Sequence, residues 1–340
     1  MTTLTSTEWS LASRPEGMPK PANFQKKDVE IAAPTDGQIQ VENTWMSVDP
    51  YMRGRMYDRE SYVPPFQIGE TLQGGAVGRV TASAHPDYAV GDLVQSMLGW
   101  RTAWVAAPEA AMARKLPQSP LPDSAFLGVV GMPGLTAYAG LLRVGELKEG
   151  DTVFVSGAAG AVGSTVVQIA KIKGCTVIGS AGGAEKCAFV KSLGADECID
   201  YKTCSTGGEL SAALAKAAPK GIDVYFDNVG GDHLTAAIDC ARPMARMALC
   251  GAIAQYNDTD TPTGPHNMIM CVGKQLKLQG FIVSTHADMQ DAFVKDMSEW
   301  IPAGKMKFEE TVMEGIDKAP DAFMGLFTGA NKGKMLVKLA

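Results

Sequence analysis

Glycines three residues apart in Gly157-Ala158-Ala159-Gly160-Ala161-Val162-Gly163 separate an apolar, β-branched run, Thr152-Val153-Phe154-Val155-Ser156, from a helical stretch. That stretch, Val162 to Lys173, stops at Gly174. Without side chains the backbone turns sharply, approaches a pyrophosphate and lets the helix pack on the strand. The helix N-terminus then offers unbonded N–H groups and a positive dipole end to phosphate. An ordinary tight turn has the same letters, so the glycines alone are a weak sign. Their place between strand and helix, followed by further strand–helix units, favours a dinucleotide. Gly157, Gly160, Ala161, Val162 and Gly163 are the expected contacts.

The end of the next strand selects the dinucleotide. NAD binders place an acid about 20 residues on, where it holds the ribose diol. Here the strand Cys175-Thr176-Val177-Ile178-Gly179 runs on into Ser180-Ala181-Gly182-Gly183, with no carboxylate. Gly182 leaves room for a 2′-phosphate, Lys186 is placed to pair with it, and Tyr201 can add a hydroxyl. Glu185 stands close enough to take the acid's part, and most lysines on helices are simply solvated. The missing acid decides for NADP(H).

The elements around these residues follow from periodicity. After Pro120-Leu121-Pro122 strands alternate with helices, as in a parallel sheet. Helices are predicted at 185–193, 232–241 and 288–300, and strands at 222–227, 247–251 and 276–280. Before that point short alternating segments such as Gln38-Ile39-Gln40-Val41-Glu42, punctuated by Pro64-Pro65 and Gly74-Gly75, indicate a partly open barrel. The tail Gly333-Lys334-Met335-Leu336-Val337-Lys338-Leu339 alternates like a strand and is expected to return to the first domain.

Composition narrows the class. A chain of 340 residues exceeds one ordinary core, so two domains are expected. The net charge of −6 gives no electrostatic reason to expect nucleic acid or an anionic membrane as partner. No run approaches the roughly 18 apolar residues of a membrane span, and Met1-Thr2-Thr3-Leu4-Thr5 lacks a signal peptide's layout. Cytoplasm is the expected compartment. The seven cysteines form no C-x-x-C and none precedes Cys175, which argues against a disulfide framework or a zinc cluster.

The chain resembles the zinc-independent medium-chain dehydrogenase/reductase superfamily, in the branch of leukotriene/prostaglandin reductases, bacterial curcumin reductases and plant alkenal double-bond reductases. The resemblance rests on Val48-Asp49-Pro50-Tyr51-Met52-Arg53, Gly131-Met132-Pro133-Gly134-Leu135-Thr136-Ala137-Tyr138, the Gly157 turn, Glu185-Lys186 and Tyr225-Phe226-Asp227-Asn228-Val229-Gly230-Gly231. Cys250-Gly251-Ala252-Ile253, Gly280-Phe281-Ile282-Val283 and Asn331-Lys332-Gly333-Lys334 complete it. It implies an α/β fold: a GroES-like β-barrel catalytic domain (1–127), a Rossmann NADP-binding domain with a doubly wound parallel sheet (128–303), and a C-terminal return to the catalytic domain (304–340). It also implies an active site in the cleft between the domains and a homodimer.

Residue by residue, the resemblance puts Met132 and Thr136 near the nicotinamide or its ribose, and Asn228 and Val229 beside that ribose. Phe281 and Val283 border the nicotinamide, Asn331 reaches the cofactor, Lys186 and Tyr201 bind the 2′-phosphate, and Tyr51 faces substrate. Tyr256 matches the active-site tyrosine and is also counted with the cofactor contacts. Tyr62 lies in a loop that can line the substrate cleft. Both zinc sites of the metal-dependent relatives are excluded by their missing cysteines.

The implied reaction is NADPH-dependent reduction of the C=C bond of an α,β-unsaturated ketone or aldehyde. Hydride goes to the β-carbon, and Tyr256 stabilises the charge developing on the carbonyl oxygen. A loop tyrosine that merely walls a cleft is the plainer reading of Tyr256. Arg53 and Arg55 read as surface arginines rather than as an anion lure. Quinone reduction and non-catalytic NADPH binding are the alternative functions. Loops 57–67 and 257–268 are expected to set the substrate.

Overall fold

The computed structural model describes residues 4–339, so the first three residues of the amino-terminal segment lie outside the described residues. The chain divides into two compact units, residues 4–127 with 310–331 and 335–339, and residues 128–309 with 332–334. The first contains β1 (Leu4–Leu11), β2 (Phe24–Ile31), β3 (Ile39–Ser47), α1 (Met52–Arg55), β4 (Ala76–Ser83), β5 (Leu93–Ser96), β6 (Ala103–Ala106) and β7 (Arg114–Lys115).

The second unit contains α2 (Met132–Ala139), β8 (Thr152–Val155), α3 (Ala161–Ile172), β9 (Thr176–Ala181), α4 (Ala184–Ser192) and β10 (Glu197–Asp200). It continues with α5 (Gly207–Ala217), β11 (Ile222–Asp227), α6 (Gly231–Cys240), β12 (Ala241–Leu249), α7 (Ile269–Lys274), β13 (Lys277–Gly280) and α8 (Gln290–Trp300). The chain closes with β14 (Glu310–Glu314), α9 (Ala319–Thr328) and β15 (Lys334–Lys338).

In the first unit the sheet order is β14-β15-β3-β4-β5-β7, with β6 also on β3. The alternating tail forms β15, whose Leu336 and Val337 pair antiparallel with Ser47 and Met46 of β3. Phe24 stacks on Trp100 at 5.9 Å, and Phe323 of α9 meets both rings edge-on, so residues from both ends of the chain share one core. This unit is the GroES-like barrel of the fold class.

The second unit holds a sheet ordered β10-β9-β8-β11-β12-β13, with every neighbouring pair parallel. This is the doubly wound Rossmann order. It reverses between β8 and β11, and ligands of such sheets bind at the carboxyl ends of the strands at that reversal. The loops after β8 and β11 are the Gly157 turn and the Asn228 loop. Phe154, Tyr225 and Ile238 are among the buried residues of the core beneath them. Among the described residues no helix is long and apolar enough to cross a membrane.

Candidate active site

Gly157 follows β8 with φ +59°. A Cβ at Gly163 would stand 2.3 Å from the Gly157 carbonyl oxygen, so helix α3 packs on the turn after β8 as closely as glycine permits. Gly160 caps α3 in extended conformation and forms a parallel bridge with Gly333, whose N–H donates to the Ala159 carbonyl at 2.8 Å. The stretch 332–334 therefore lies along the turn. The glycine-floored turn opening a twelve-residue helix fits a pyrophosphate.

The Asn228 loop is held by a buried acid. One oxygen of Asp227, Oδ1, accepts from the Tyr225 hydroxyl (2.7 Å), the Ser156 hydroxyl (3.1 Å) and the backbone N–H groups of Val229 (2.9 Å) and Gly230 (2.8 Å). Burial pushes the Asp227 carboxyl upward in pKa, and the bonds from Gly230, Tyr225, Val229 and Ser156 oppose that shift. The Asn228 amide donates to the Ser156 carbonyl at 2.8 Å, and its backbone N–H donates to the Ser156 hydroxyl at 2.9 Å. These bonds tie the ends of β8 and β11 together. A Cβ at Gly157 would lie 3.4 Å from the Asn228 side chain and 3.5 Å from that of Val229, which places both beside the glycine turn.

The chain then passes from β12 into the segment bearing Tyr256. Ile253 and Ala254 donate backbone bonds to the carbonyls of Asn228 (3.3 Å) and Val229 (3.1 Å). The half-buried Tyr256 turns its hydroxyl back over this turn, where the Ala252 N–H donates to it at 3.2 Å. Phe281 bonds through its N–H to the Leu249 carbonyl at 3.3 Å and meets Phe226 edge-on at 6.1 Å. An open depression of about 510 Å³, lined by Leu249, Gly280, Phe281, Ile282 and Thr285, lies beside it. Val283 follows, half-buried. The Thr136 hydroxyl donates to the Met132 carbonyl at 2.8 Å, one turn back on α2.

At the end of β9, a Cβ on Gly182 would meet the Tyr201 hydroxyl at 2.8 Å. The ring of Tyr201 in turn lies edge-on to His233 at 5.4 Å. Burial lowers the Lys186 pKa, the nearby Lys202 lowers it further, and Glu185 raises it. The Glu185 carboxylate, the one acid that argued for NAD, forms an exposed ion pair with Lys332 at 3.7 Å. Ser156, Asp227 and His233 escaped sequence reasoning, although Ser156 and Asp227 directly precede the Gly157 and Asn228 residues that were selected.

Tyr51, Tyr62 and Asn331 belong to the first unit. Tyr51 is half-buried, and burial followed by the Asp49 charge raises its pKa; Tyr62 is 61% exposed. Arg53 and Arg55 are not the surface residues expected from their position after a strand. Arg53 is fully buried, donates to the carbonyls of Pro15 and Gly17, and lies over the Tyr57 ring. Arg55 donates to the Pro64 carbonyl and the Gln73 side chain, each at 2.9 Å, and lies over Phe66 at 4.0 Å. Planar guanidinium groups can be buried where carbonyls and ring faces satisfy them.

Two family models match the chain: "N-terminal domain of oxidoreductase" over residues 7–114 and "Zinc-binding dehydrogenase" over residues 161–299. Among the described residues no group of three or more His, Cys, Asp or Glu is arranged to hold a metal ion. The fold and site define a two-unit oxidoreductase with a Rossmann half. The chain belongs to the zinc-independent medium-chain dehydrogenase/reductase superfamily, in the branch of the curcumin and prostaglandin reductases. It is 42% identical over 338 residues to the NADPH-dependent curcumin reductase of Escherichia coli, covering 98% of this chain and 96% of that one. It is 41% identical to prostaglandin reductase 1 of Rattus norvegicus, covering 97% and 98%. The crystal structure of CurA from Vibrio vulnificus in complex with NADPH superposes with a TM-score of 0.92 at 44% identity, covering 98% of this chain and 99% of that one.

Proposed function

We propose that this chain is an NADPH-dependent reductase of the C=C bond of α,β-unsaturated ketones and aldehydes. The observation that carries the reading is its likeness, along nearly the whole chain, to an NADPH-dependent curcumin reductase. The geometry supports it through a glycine turn at the sheet's reversal and an end of β9 whose own residues carry no carboxylate, beside Tyr201 and Lys202.

Bound NADPH supplies the hydride. Gly157, Gly160, Ala161, Val162 and Gly163 receive the pyrophosphate, and Gly182, Lys186 and Tyr201 the 2′-phosphate. Asn228 and Val229, fixed by Ser156 and Asp227, orient the nicotinamide ribose, with Met132, Thr136, Phe281, Val283 and Asn331 as further cofactor contacts. Tyr256 donates a hydrogen bond to the substrate carbonyl oxygen as negative charge develops there. The bond from the Ala252 N–H polarises the phenol, which strengthens an O–H as a donor. Tyr51 and Tyr62 contact the substrate. Dividing the chain at 1–127, 128–303 and 304–340 into catalytic domain, cofactor domain and return segment is part of the same reading.

The enzyme is further read as a cytoplasmic homodimer. The free cysteines among the described residues support a reducing compartment. Exposed Ile269 and Val272 on α7 support a contact with a second copy, which sedimentation tests. The activity is tested by following NADPH absorbance with 3-nonen-2-one, with a quinone and with neither. Consumption with the enone is expected. Turnover of the quinone alone, or binding without turnover, overturns the reading.

A further inference from the structure

We propose that Lys202 is a second cation for the 2′-phosphate, set over Gly182 by the Asp200 carboxylate, and that it determines the preference for NADPH over NADH. The inference rests on the cofactor reading above and deepens it.

Three observations converge. A Cβ at Gly182 would meet Lys202 Cε at 3.0 Å, beside the Tyr201 hydroxyl, so the far end of this lysine covers the bare end of β9. Asp200, at the end of β10, accepts at Oδ1 from the N–H of Gly183 (2.8 Å) and the N–H of Lys202 (3.1 Å). That one oxygen clasps the turn after β9 to the turn carrying Tyr201 and Lys202. Finally, Lys202 lies near enough to Lys186 to disfavour its charged form.

The charges define what the place accepts. Lys202 forms no ion pair among the described residues, and Glu185 is drawn to Lys332. The far end of Lys202 and a phenol meet over a glycine floor, and Lys186 lies close enough to feel the Lys202 charge. Like charges brought together repel, and a dianion between them turns the repulsion into two charge-assisted hydrogen bonds. A phosphate monoester fits this chemistry, and the Asp200 oxygen nearest the turn is engaged by the backbone N–H groups of Gly183 and Lys202. Asp200 is a positioning residue and Lys202 a specificity residue.

Lys202 is exposed, so its replacement leaves the fold intact. The test is calorimetric binding of NADP+, NAD+, 2′,5′-ADP and 5′-AMP to the full chain, wild type, Lys202→Met and Lys202→Arg. Loss of one charged contact is expected to weaken NADP+ and 2′,5′-ADP about ten-fold in Lys202→Met. NAD+ and 5′-AMP should be unchanged, and Lys202→Arg should restore most of the loss. A wild type that binds NADP+ and NAD+ alike overturns the cofactor reading and this inference with it. A wild type that prefers NADP+, with Lys202→Met keeping that preference, overturns Lys202 alone. Equal weakening of all four ligands also overturns it.

Discussion

The phenolic oxygen of Tyr256 accepts a hydrogen bond from the backbone N–H of Ala252, four residues earlier, at 3.2 Å. The bond turns the tyrosine back over the segment that follows β12, whose Ile253 and Ala254 are themselves bonded to the Asn228 loop. The proposed role asks the phenolic O–H to donate to a substrate oxygen. If that is its work, Tyr256→Phe lowers kcat with an enone about a hundred- to a thousand-fold. The stability cost of the lost Ala252 bond is about 1 kcal/mol. Steady-state kinetics beside thermal denaturation separate the two effects, and near-normal turnover would reduce Tyr256 to a wall of the site.

Gly182 is a matter of space. Its φ lies outside the left-handed region, yet an added Cβ would press on the Tyr201 hydroxyl at 2.8 Å and on Lys202 Cε at 3.0 Å. Both side chains are exposed and can give way, so the added Cβ displaces the groups assigned to the 2′-phosphate rather than the fold. Gly182→Ala should fold normally and weaken NADP+ about ten-fold, read by calorimetry. Unchanged NADP+ affinity would place the phosphate elsewhere.

His233 links stability to pH. Its Nε2 lies 2.9 Å from the Ser180 hydroxyl, and burial pushes its pKa down from 6.5 to about 4. Between those values the unfolded chain binds the proton and the folded chain does not. The contribution is therefore complete above pH 6.5 and is lost as the pH falls toward 4, a span of about 3 kcal/mol. Denaturant titrations across that window should show a flatter pH dependence for His233→Gln than for the wild type. Parallel curves would show that His233 does not carry the effect.

Arg55 holds the loop assigned to substrate selection. Its guanidinium takes the Pro64 carbonyl and Gln73, and its own carbonyl accepts from the Phe66 N–H at 2.7 Å. Arg55→Lys keeps the charge but loses the planar fork. Amide exchange across residues 57–67 should accelerate while the second unit keeps its protection. An unaltered exchange pattern would show that the loop is held by other contacts.

Legibility in the sequence followed the physics of each segment. Strand β11 was read at its full extent, Ile222–Asp227, because it is a compact β-branched and aromatic run. Helices α5 and α9 were overlooked. Both carry interior glycine or proline residues that blur periodicity: Gly208 in the first turn of α5, Pro320 and Gly325 in α9. The glycine turn was visible because glycine spacing is local. The Asp227 clasp depends on four donors meeting at one buried oxygen, and the edge-on contact of His233 with Tyr201 joins residues far apart in sequence. Arg53 and Arg55 were misread because only the fold supplies the carbonyls and rings that bury them.

Reduction of an enone by this protein requires hydride delivery to the β-carbon of the activated double bond. It is tested most directly by incubating the protein with an enone and NADPH deuterated at the transferable C4 position, then locating the label by NMR. One deuterium is expected at the β-carbon of a saturated ketone, with one NADPH consumed per product. Deuterium at the carbonyl carbon with the C=C bond intact, or NADPH bound with no labelled product, would contradict it.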